Sequence, residues 1–585
     1  MKNIDSSNQV FDIVIEDNLI YADKTKHVCE LLKSGKAYFL SRPRRFGKSL
    51  LLSTIAALFK GPSDPEHNPQ GLFKGLWISG EDANYDFNDT YPVIYISMST
   101  ANYSPEIVIG DIQNKLRVIA NSYGIALNDG SPQAMLTSLI LDLKGQYGKN
   151  VVLLIDEYDD PISSVIGNPD LAEKNSYVLR GFYSILKENQ PNLRFVMLTG
   201  VTRYELLWQS GVLNHLFDFT MSEEYADICG FTYDEFDNCF ADRFEITLKK
   251  FKEKGILDQN CGIAEFREAI FEKYDGYSWD GKTRVLNPFS LLNAFKNKNL
   301  KNYWATLEPS KKFLKAIMSK NPLSFTADKL RDLSQKSVDS ASIVGSLTPV
   351  PSLFQTGYLT IDKITTVGKD FYYTFKIPNA EINPAYWDEF SDSLFDFLDT
   401  DRTVLDNNFI KAVVAEDSNK LSIFIDSFFG SIPASLHIPK ESYYHSVIYG
   451  YLNGLTNLTA LSEIPGADGT PDILCVIDKD LYVVVELKFK DNPETNPALD
   501  SLKTKAALKR LAISALKAID EKNYLRPYLA KAKKMLKLGL GVYGRGRAMA
   551  ILENEERAKE RLKPIAKRSR GHHSNKSSTN ARAKK

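Results

Sequence analysis

Two short stretches of this chain combine residue types that could bind phosphate and break a phosphodiester bond. The first, residues 42–49, reads Arg-Pro-Arg-Arg-Phe-Gly-Lys-Ser, and its last three residues are those of a phosphate-binding loop. The second pairs Pro471-Asp472 with Glu486-Leu487-Lys488, and so offers two carboxylates and one lysine. Carboxylates are ligands that Mg²⁺ prefers, and a metal-bound water can attack phosphate. The two stretches predict a nucleotide-binding domain joined to a domain that cuts nucleic acid.

The first stretch lies between a strand and a helix, as a phosphate-binding loop must. The apolar run 37–41 predicts a buried strand, and 50–59 predicts a helix whose first N–H groups face the anion. Gly47 lets the backbone approach the phosphates, Lys48 reaches the β- and γ-phosphates, and the Ser49 hydroxyl ligates Mg²⁺. The predicted nucleotide-contacting residues of the loop are Arg45, Phe46, Gly47, Lys48 and Ser49.

A second buried strand ends in the acidic residues that such a loop needs as partners. The run 151–155 is wholly apolar, and Asp156 and Glu157 follow it. An aspartate at this position holds Mg²⁺, and the glutamate polarises the attacking water. A buried strand capped by an acidic turn is the alternative interpretation, but the loop upstream favours the catalytic one.

A third predicted strand, residues 194–199, ends in a polar residue, and a basic residue follows it. Thr199 could sense the γ-phosphate, and Arg203 could stabilise charge on the transferred phosphoryl group. A solvated loop is the alternative interpretation of Arg203. Another strand at 92–97 and the helical stretches between the strands predict a parallel sheet with right-handed crossovers.

Near the C-terminus the sequence predicts a hairpin that gathers charged groups on one face. If Asp478-Lys479-Asp480 is a three-residue loop, Asp472 lies opposite Glu486, and alternation places Lys488 on the same face. The two carboxylates would hold a catalytic metal, and Lys488 would orient its water. A salt-bridged surface hairpin is the alternative. The residues of the other face are all apolar: Ile473, Cys475, Ile477, Val483, Val485 and Leu487.

A further acidic residue is expected to complete this metal site. Glu441, at the start of the preceding predicted helix, is the first candidate, and Glu463 is the alternative. A favourable negative charge at a helix N-terminus is the other interpretation of Glu441. The predicted metal ligands are therefore Asp472, Glu486 and Glu441.

These stretches resemble those of an AAA-ATPase-like family that carries a C-terminal PD-(D/E)XK nuclease-like domain. The resemblance runs from about residue 10 to about residue 550, and it rests on Asp23-Lys24-Thr25, the loop 42–49 and the segment 156–159. It implies that an arginine, here Arg42, replaces the first glycine of the usual loop. It also implies a glutamine where this chain has Ala518. Further matching stretches are Tyr274–Tyr277, Asn287–Ser290, Gly357–Thr360 and Ile377–Glu381.

Composition narrows the class of protein. The chain has 585 residues, which is too many for one hydrophobic core. Its 73 basic residues balance 73 acidic ones, which argues against a uniformly basic surface for binding nucleic acid. Five scattered cysteines indicate reduced thiols in a cytoplasmic protein, and no apolar run is long enough to span a membrane.

The predicted fold class is α/β, with several domains in succession. A P-loop NTPase parallel sheet carries a helical lid, a mainly helical connecting region with a hairpin near residues 358–377 follows, and an α/β restriction-endonuclease-like domain ends the ordered chain. The predicted boundaries are 1–205 for the ATPase-like domain, 206–300 for the lid, 301–432 for the connecting region, 433–553 for the nuclease-like domain and 554–585 for a basic, disordered tail.

Together these features predict binding and hydrolysis of ATP, coupled to metal-dependent cleavage of DNA or RNA. ATP and Mg²⁺ are the expected cofactors, nucleic acid is the expected partner, and the sequence is compatible with a homo-oligomer. The alternative is a nucleotide-controlled switch whose C-terminal domain only binds nucleic acid or a protein partner. Ala518 favours the switch, whereas Asp472, Glu486 and Lys488 favour the nuclease.

Overall fold

The computed structural model of the chain consists of two compact units. The first comprises Met1–Arg402 with Ser446–Gly454, and the second comprises Thr403–His445 with the chain from Leu455 onward. The described residues are 1–60, 69–204, 207–208, 211–319, 322–326, 330, 333–339, 342–343, 346–347, 349–398, 402–455, 458–462, 470–477, 480–492, 502–528 and 532–554.

Some sequence predictions fall outside the described residues. These are Asp478 and Lys479 of the hairpin loop, the alternative ligand Glu463, and the basic tail from residue 555. The predicted boundaries at 205 and 300 lie within the first unit, and the boundary at 432 lies within the second. The division into five parts stays a prediction.

A five-stranded sheet forms the core of the first unit. Every residue of the strand Val151–Asp156 is buried, which is typical of a parallel sheet covered by helices on both faces. The strands are β1 Ala37–Ser41, β2 Val93–Ser97, β3 Val151–Asp156, β4 Leu193–Gly200 and β5 Phe217–Asp218. Their order is β2-β3-β4-β1-β5 and every pair is parallel, which confirms the predicted parallel sheet.

The strand order decides which residues meet. Strand β4 lies between β1 and β3, with Leu40 paired to Thr199 and Ile155 paired to Leu198. Because the carboxyl ends of parallel strands lie at the same edge, the loop after β1 comes beside Asp156. The sheet therefore brings together the predicted nucleotide-binding stretches.

Helices cover this sheet on its two faces. They are α1 Phe11–Glu16, α2 Thr25–Ser34, α3 Lys48–Phe59, α4 Pro69–Leu72, α5 Pro105–Ser122, α6 Pro132–Tyr147, α7 Asp160–Ser163 and α8 Pro169–Glu188. Phe39 and Leu198 share one core cluster with apolar residues of α5, α6 and α8. Phe195 faces the other way and packs on Phe59 of α3, with ring centroids 5.7 Å apart.

A helical region and a hairpin follow the sheet. An aromatic core that includes Phe236, Phe240 and Phe295 holds the helices before residue 300 together. The predicted hairpin is confirmed, because β9 pairs with β10 in antiparallel register. The elements are α9 Tyr233–Phe240, α10 Phe244–Glu253, α11 Ile263–Tyr274, α12 Pro288–Asn297, α13 Glu308–Met318, α14 Gln335–Asp339, α15 Pro349–Thr356 and α16 Ile382–Phe397, with β6 Leu333–Ser334, β7 Ser342–Ile343, β8 Ser346–Leu347, β9 Thr360–Val367 and β10 Asp370–Lys376.

The second unit is a mixed five-stranded sheet with helices. Its α-helices are α17 Arg402–Val414, α18 Ser418–Ser431, α19 Glu441–Asn453, whose residues 441–445 belong to this unit, and α20 Leu502–Glu521. Its strands are β11 Leu458–Ser462, β12 Ile473–Ile477, β13 Leu481–Lys490, β14 Lys534–Tyr543 and β15 Arg547–Glu553. They lie in sequence order, and only the β13–β14 pair of this sheet is parallel.

Two local features fix the second sheet. Ile473 pairs with Val485 and Cys475 with Val483, which is the register predicted from the hairpin. Gly541 of β14 allows α20 to pack closely, because a Cβ atom there would lie 2.4 Å from a carbonyl oxygen of the helix. Among the described residues, no helix has the length and apolarity needed to cross a membrane.

Candidate nucleotide and metal sites

The loop between β1 and α3 is curled around a lysine. Gly47 has φ +99° and Arg45 has φ +67°, and α3 begins at Lys48. The Lys48 ammonium donates to the carbonyl oxygens of Arg42 and Pro43, at 2.9 Å each. Burial lowers the pKa of Lys48. The loop thus presents a buried ammonium and the N-terminus of a helix to the same region, as a phosphate site requires.

Arg42, which stands where the usual loop has its first glycine, is a structural anchor. Its guanidinium is fully buried and donates to the carbonyl oxygens of Ser41, Thr220 and Tyr225, at 2.9, 2.8 and 3.2 Å. It also lies 4.1 Å from the ring centroid of Trp279. Burial lowers its pKa to about 10. The arginine therefore ties the start of the loop to the protein interior.

Asp156, at the end of β3, is held by groups from two neighbouring strands and from its own turn. Its carboxylate accepts hydrogen bonds from the Thr199 hydroxyl at 2.6 Å, the Tyr95 hydroxyl at 3.3 Å and the Glu157 N–H at 2.9 Å. Thr199 is completely buried. Its hydroxyl donates to Asp156 and so orients it, and the role of Thr199 in sensing the γ-phosphate stays a prediction.

Glu157, directly after Asp156, has an unusual backbone conformation. Its φ of +52° is rare for a residue other than glycine and turns the chain sharply after β3. Burial and the neighbouring Asp156 and Asp160 raise the pKa of Glu157, whereas Lys48 and Arg44 oppose the rise. The acidic and basic residues of the two loops are therefore close enough to interact.

A cavity of about 290 Å³ lies over the loop. The Arg45 guanidinium is 5.5 Å from the ring centroid of Phe289 and forms no ion pair with any described residue. Arg45 is therefore available for an anionic ligand. The cavity is lined by Asp5, Ser6, Asn8, Gln9, Arg44, Arg45, Gly47, Lys48, Ser49, Leu50, Glu157, Pro288, Phe289, Leu292 and Leu307.

The side chains of two further residues predicted to contact nucleotide are engaged within the protein. Phe46 is buried, and its ring packs on Tyr277 and Trp279 with centroids 4.8 and 5.6 Å apart, so its side chain anchors the loop. Arg203 pairs with Asp218 at 3.2 Å and is not one of the residues that line the cavity. The role of Arg203 in stabilising charge on the transferred phosphoryl group stays a prediction.

Two features of the site were missed from the sequence. Asp160 is buried and accepts hydrogen bonds from Arg44 at 3.0 Å and from the Tyr103 hydroxyl at 2.6 Å. The run of acids after β3 could have indicated it. The segment 5–9 also lines the cavity, but nothing in its sequence distinguishes it from an ordinary polar N-terminus.

In the second unit, the hairpin β12–β13 brings the predicted charged residues together. Asp472 directly precedes β12, and its carboxylate accepts a hydrogen bond from the Leu487 N–H at 2.7 Å. The Lys488 ammonium lies 3.2 Å from Glu486. Burial raises the pKa of Asp472 and of Glu486, and Asp472 raises that of Glu486 further. Two carboxylates and one lysine thus share a partly buried position.

Glu441 lies at the start of α19 and contacts the same lysine as Glu486. One of its carboxylate oxygens lies 3.3 Å from the Lys488 ammonium, and the other accepts the Phe489 N–H at 2.9 Å. Glu441 therefore ties the start of α19 to the end of β13. Among the described residues, no group of three His, Cys, Asp or Glu side chains is arranged to hold a metal.

The remaining carboxylates fit a hard cation. The Oε2 atom of Glu486 is buried and has no hydrogen-bond partner among the described residues. A buried carboxylate oxygen without a partner is unfavourable, and a cation would satisfy it. Mg²⁺ is often held by one or two carboxylates while it keeps several waters. Asp472 and Glu486 are therefore a suitable pair.

Comparison with known proteins agrees with the geometry of the first unit. A family model described as "Predicted AAA-ATPase" matches residues 7–207. The chain is similar to an uncharacterized protein in the vnfD 5' region of Azotobacter chroococcum mcd 1, with 30% identity over 498 residues, which are 84% of this chain and 89% of that protein. No solved structure matches the chain. Residues 7–207 are therefore an AAA-ATPase-like domain, and the chain as a whole is a homologue of the Azotobacter protein.

Proposed function

We propose that the first unit binds ATP with Mg²⁺ and hydrolyses it. The observation that carries this proposal is the cavity that Lys48 and Glu157 line together, beside an Asp156 that Thr199 holds in place. Lys48 and Arg45 would bind the phosphates, and Ser49 and Asp156 would hold the metal. Bound Mg²⁺ neutralises charge on the β- and γ-phosphates. Glu157 would orient the attacking water and accept its proton.

Nucleotide binding and turnover test this proposal separately. Lys48→Ala should weaken ATP binding at least about tenfold, because a charge-assisted phosphate contact is lost. Glu157→Gln should bind ATP and lose turnover, because the amide cannot accept the proton. Lys115→Ala is the control, since Lys115 is paired with Asp111 on α5. Failure of the wild-type protein to bind ATP would contradict the proposal.

We propose that the second unit is a PD-(D/E)XK nuclease-like domain that cleaves DNA or RNA with Mg²⁺, under the control of ATP turnover. The unpartnered Oε2 atom of Glu486 carries this proposal. Asp472 and Glu486 would hold the metal, which supplies an activated water when bound. Lys488 would position that water or neutralise charge on the attacked phosphate.

Cleavage assays test the second part. Plasmid DNA and RNA are incubated with the full chain, Mg²⁺ or Mn²⁺, and with or without ATP. Asp472→Asn and Glu486→Gln should each abolish cleavage, because the metal loses a charged ligand. Asp480→Asn is a matched control, since Asp480 lies in the same hairpin and pairs with Lys533 at 2.9 Å. Equal cleavage by all four proteins would point to a contaminating nuclease.

A nucleotide-controlled switch is the second candidate. The observation that favours it is the engagement of Glu441 by Lys488 and the Phe489 N–H, which leaves two carboxylates for a metal. In this case the second unit would only bind nucleic acid or a protein partner. ATP-dependent binding of nucleic acid, without cleavage in any divalent metal, would support the switch.

A further inference from the structure

The segments 287–290 and 377–381, which match the family in sequence, meet at one buried carboxylate near the phosphate-binding loop. Glu381, at the end of the stretch 377–381, is completely buried. It accepts a hydrogen bond from the backbone N–H of Trp304 at 2.7 Å, and Ser290 of the stretch 287–290 lies beside it. A buried acid needs such partners, so Glu381 fixes the backbone at Trp304.

The indole of the same tryptophan reaches the loop. Its Nε1–H donates to the carbonyl oxygen of Arg44 at 2.8 Å. The ring is fully buried and packs edge-on against Tyr358, with centroids 5.4 Å apart. The hydrogen bond therefore has a fixed donor, which specifies the orientation of the peptide group between Arg44 and Arg45.

Neighbouring residues of the loop are held in the same way. Gly357 has φ +91°, and a Cβ atom there would lie 2.8 Å from the side chain of Pro43, so the proline packs directly on the glycine backbone. Phe46 packs on Tyr277 and Trp279. Residues outside the loop thus contact three loop residues, Pro43, Arg44 and Phe46. The outside residues are Gly357, Trp304, Tyr277 and Trp279.

The loop needs this support because of its own sequence. It has no glycine at position 42, and Arg45 adopts φ +67°, a conformation that costs free energy for a residue other than glycine. Such a conformation persists only where the surroundings hold it. Trp304 holds the peptide group that leads into Arg45.

We propose that Trp304, anchored by Glu381, is a positioning residue that keeps the loop in its phosphate-binding shape. Trp304 acts through the carbonyl of Arg44 and so aligns Arg45 and Lys48 for the phosphates. The expected effect on ATP affinity rests on the proposed ATP-binding function, but the support that Trp304 gives the loop can be tested without nucleotide.

Trp304→Phe removes the indole N–H and keeps an aromatic ring. Trp387→Phe is a matched control, because the Trp387 indole donates to Asn383 at 3.1 Å within α16 of the same unit. Hydrogen exchange of the amides of residues 42–50, measured without nucleotide, should be about fivefold faster in Trp304→Phe, the change expected for one hydrogen bond. ATP affinity should fall by a similar factor. Trp387→Phe should change neither quantity by more than about twofold.

Glu381 supplies a rescue test. Glu381→Gln keeps an oxygen acceptor for the backbone N–H of Trp304, so hydrogen exchange of the loop amides should stay close to that of the wild type. Glu381→Ala removes the acceptor, and its loop should exchange as fast as that of Trp304→Phe. If Glu381→Ala does not fold, the two tryptophan variants and Glu381→Gln decide the question.

Equal loop exchange in Trp304→Phe and Trp387→Phe would overturn the inference. Faster loop exchange with unchanged ATP affinity would also overturn it, since the loop would then bind phosphate without the support of Trp304. If the wild-type protein does not bind ATP, the proposed ATPase function fails, and the exchange data alone decide whether Trp304 holds the loop.

Discussion

Replacing Glu381 with glutamine should remove a strong dependence of stability on pH from the first unit. Burial raises the pKa of Glu381 from 4.5 to about 7. Ser290, the Trp304 and Ala305 N–H groups and the charge of Lys273 oppose this rise only in part. The folded protein therefore keeps a proton on Glu381 at pH values where the unfolded chain has lost it.

The sign and size of the effect follow from this difference. Because the pKa is higher in the folded state, the stabilisation is complete below about pH 4.5 and is lost as the pH rises toward about 7. Each pH unit between the two pKa values is worth about 1.4 kcal/mol, so the total loss is about 3 kcal/mol. Glutamine has no proton to lose, so the free energy of unfolding of Glu381→Gln lacks this term.

Urea unfolding followed by tryptophan fluorescence measures the effect in the right part of the chain. All five tryptophans lie within the first unit, so their emission reports on that unit. Wild type and Glu381→Gln are compared at intervals between about pH 4.5 and about pH 8. Glu268→Gln on α11 is the control, because Glu268 is exposed.

The expected result is a difference between the variants that grows with pH. Near pH 4.5 wild type and Glu381→Gln should be similar, and near pH 8 the wild type should be less stable by about 3 kcal/mol. A difference that stays constant over this range would refute the reasoning, because Glu381 would then titrate alike in the folded and unfolded states.

Three further substitutions have defined outcomes. Thr199→Val removes the hydroxyl that orients Asp156, so ATP turnover should fall about tenfold while ATP affinity changes less; equal loss of both would contradict the orienting role. Gly276→Ala should lower the free energy of unfolding by about 2 kcal/mol or more, because φ is +95° and the new Cβ would lie 2.3 Å from the Pro378 carbonyl oxygen. Urea unfolding measures this change, and an unchanged unfolding midpoint would show that the turn adapts to the alanine. Gly541→Ala should loosen the packing of α20 on β14 and speed proteolysis of the second unit, because a Cβ would meet a helix carbonyl at 2.4 Å; unchanged cleavage would argue against close packing there.

The features that the sequence predicts correctly depend on short-range patterns. Apolar runs predicted the strands of the parallel sheet, because a strand buried on both faces has no polar alternation. The register of the hairpin followed from its loop length, and Ile473 does pair with Val485. The same reasoning placed Asp472 and Glu486 at one end of that hairpin.

The sequence does not indicate the partner of a side chain when that partner lies far along the chain. The ring of Phe46 packs on Tyr277 and Trp279, and the Thr199 hydroxyl donates to Asp156. Neither partner is indicated by spacing or periodicity. A single sequence gives the chemistry of a side chain but not the direction in which the fold turns it.

By itself, the sequence determined the succession of strands and helices along the chain around the loop. It also determined which charged residues lie together on the C-terminal hairpin. These depend on neighbours within a few residues, whose geometry the backbone fixes. The tertiary structure alone decided that Arg42 anchors the loop and that Trp304 reaches the carbonyl of Arg44. Such contacts form only after the sheet and the helices have packed, because packing brings residues distant in sequence within hydrogen-bond distance.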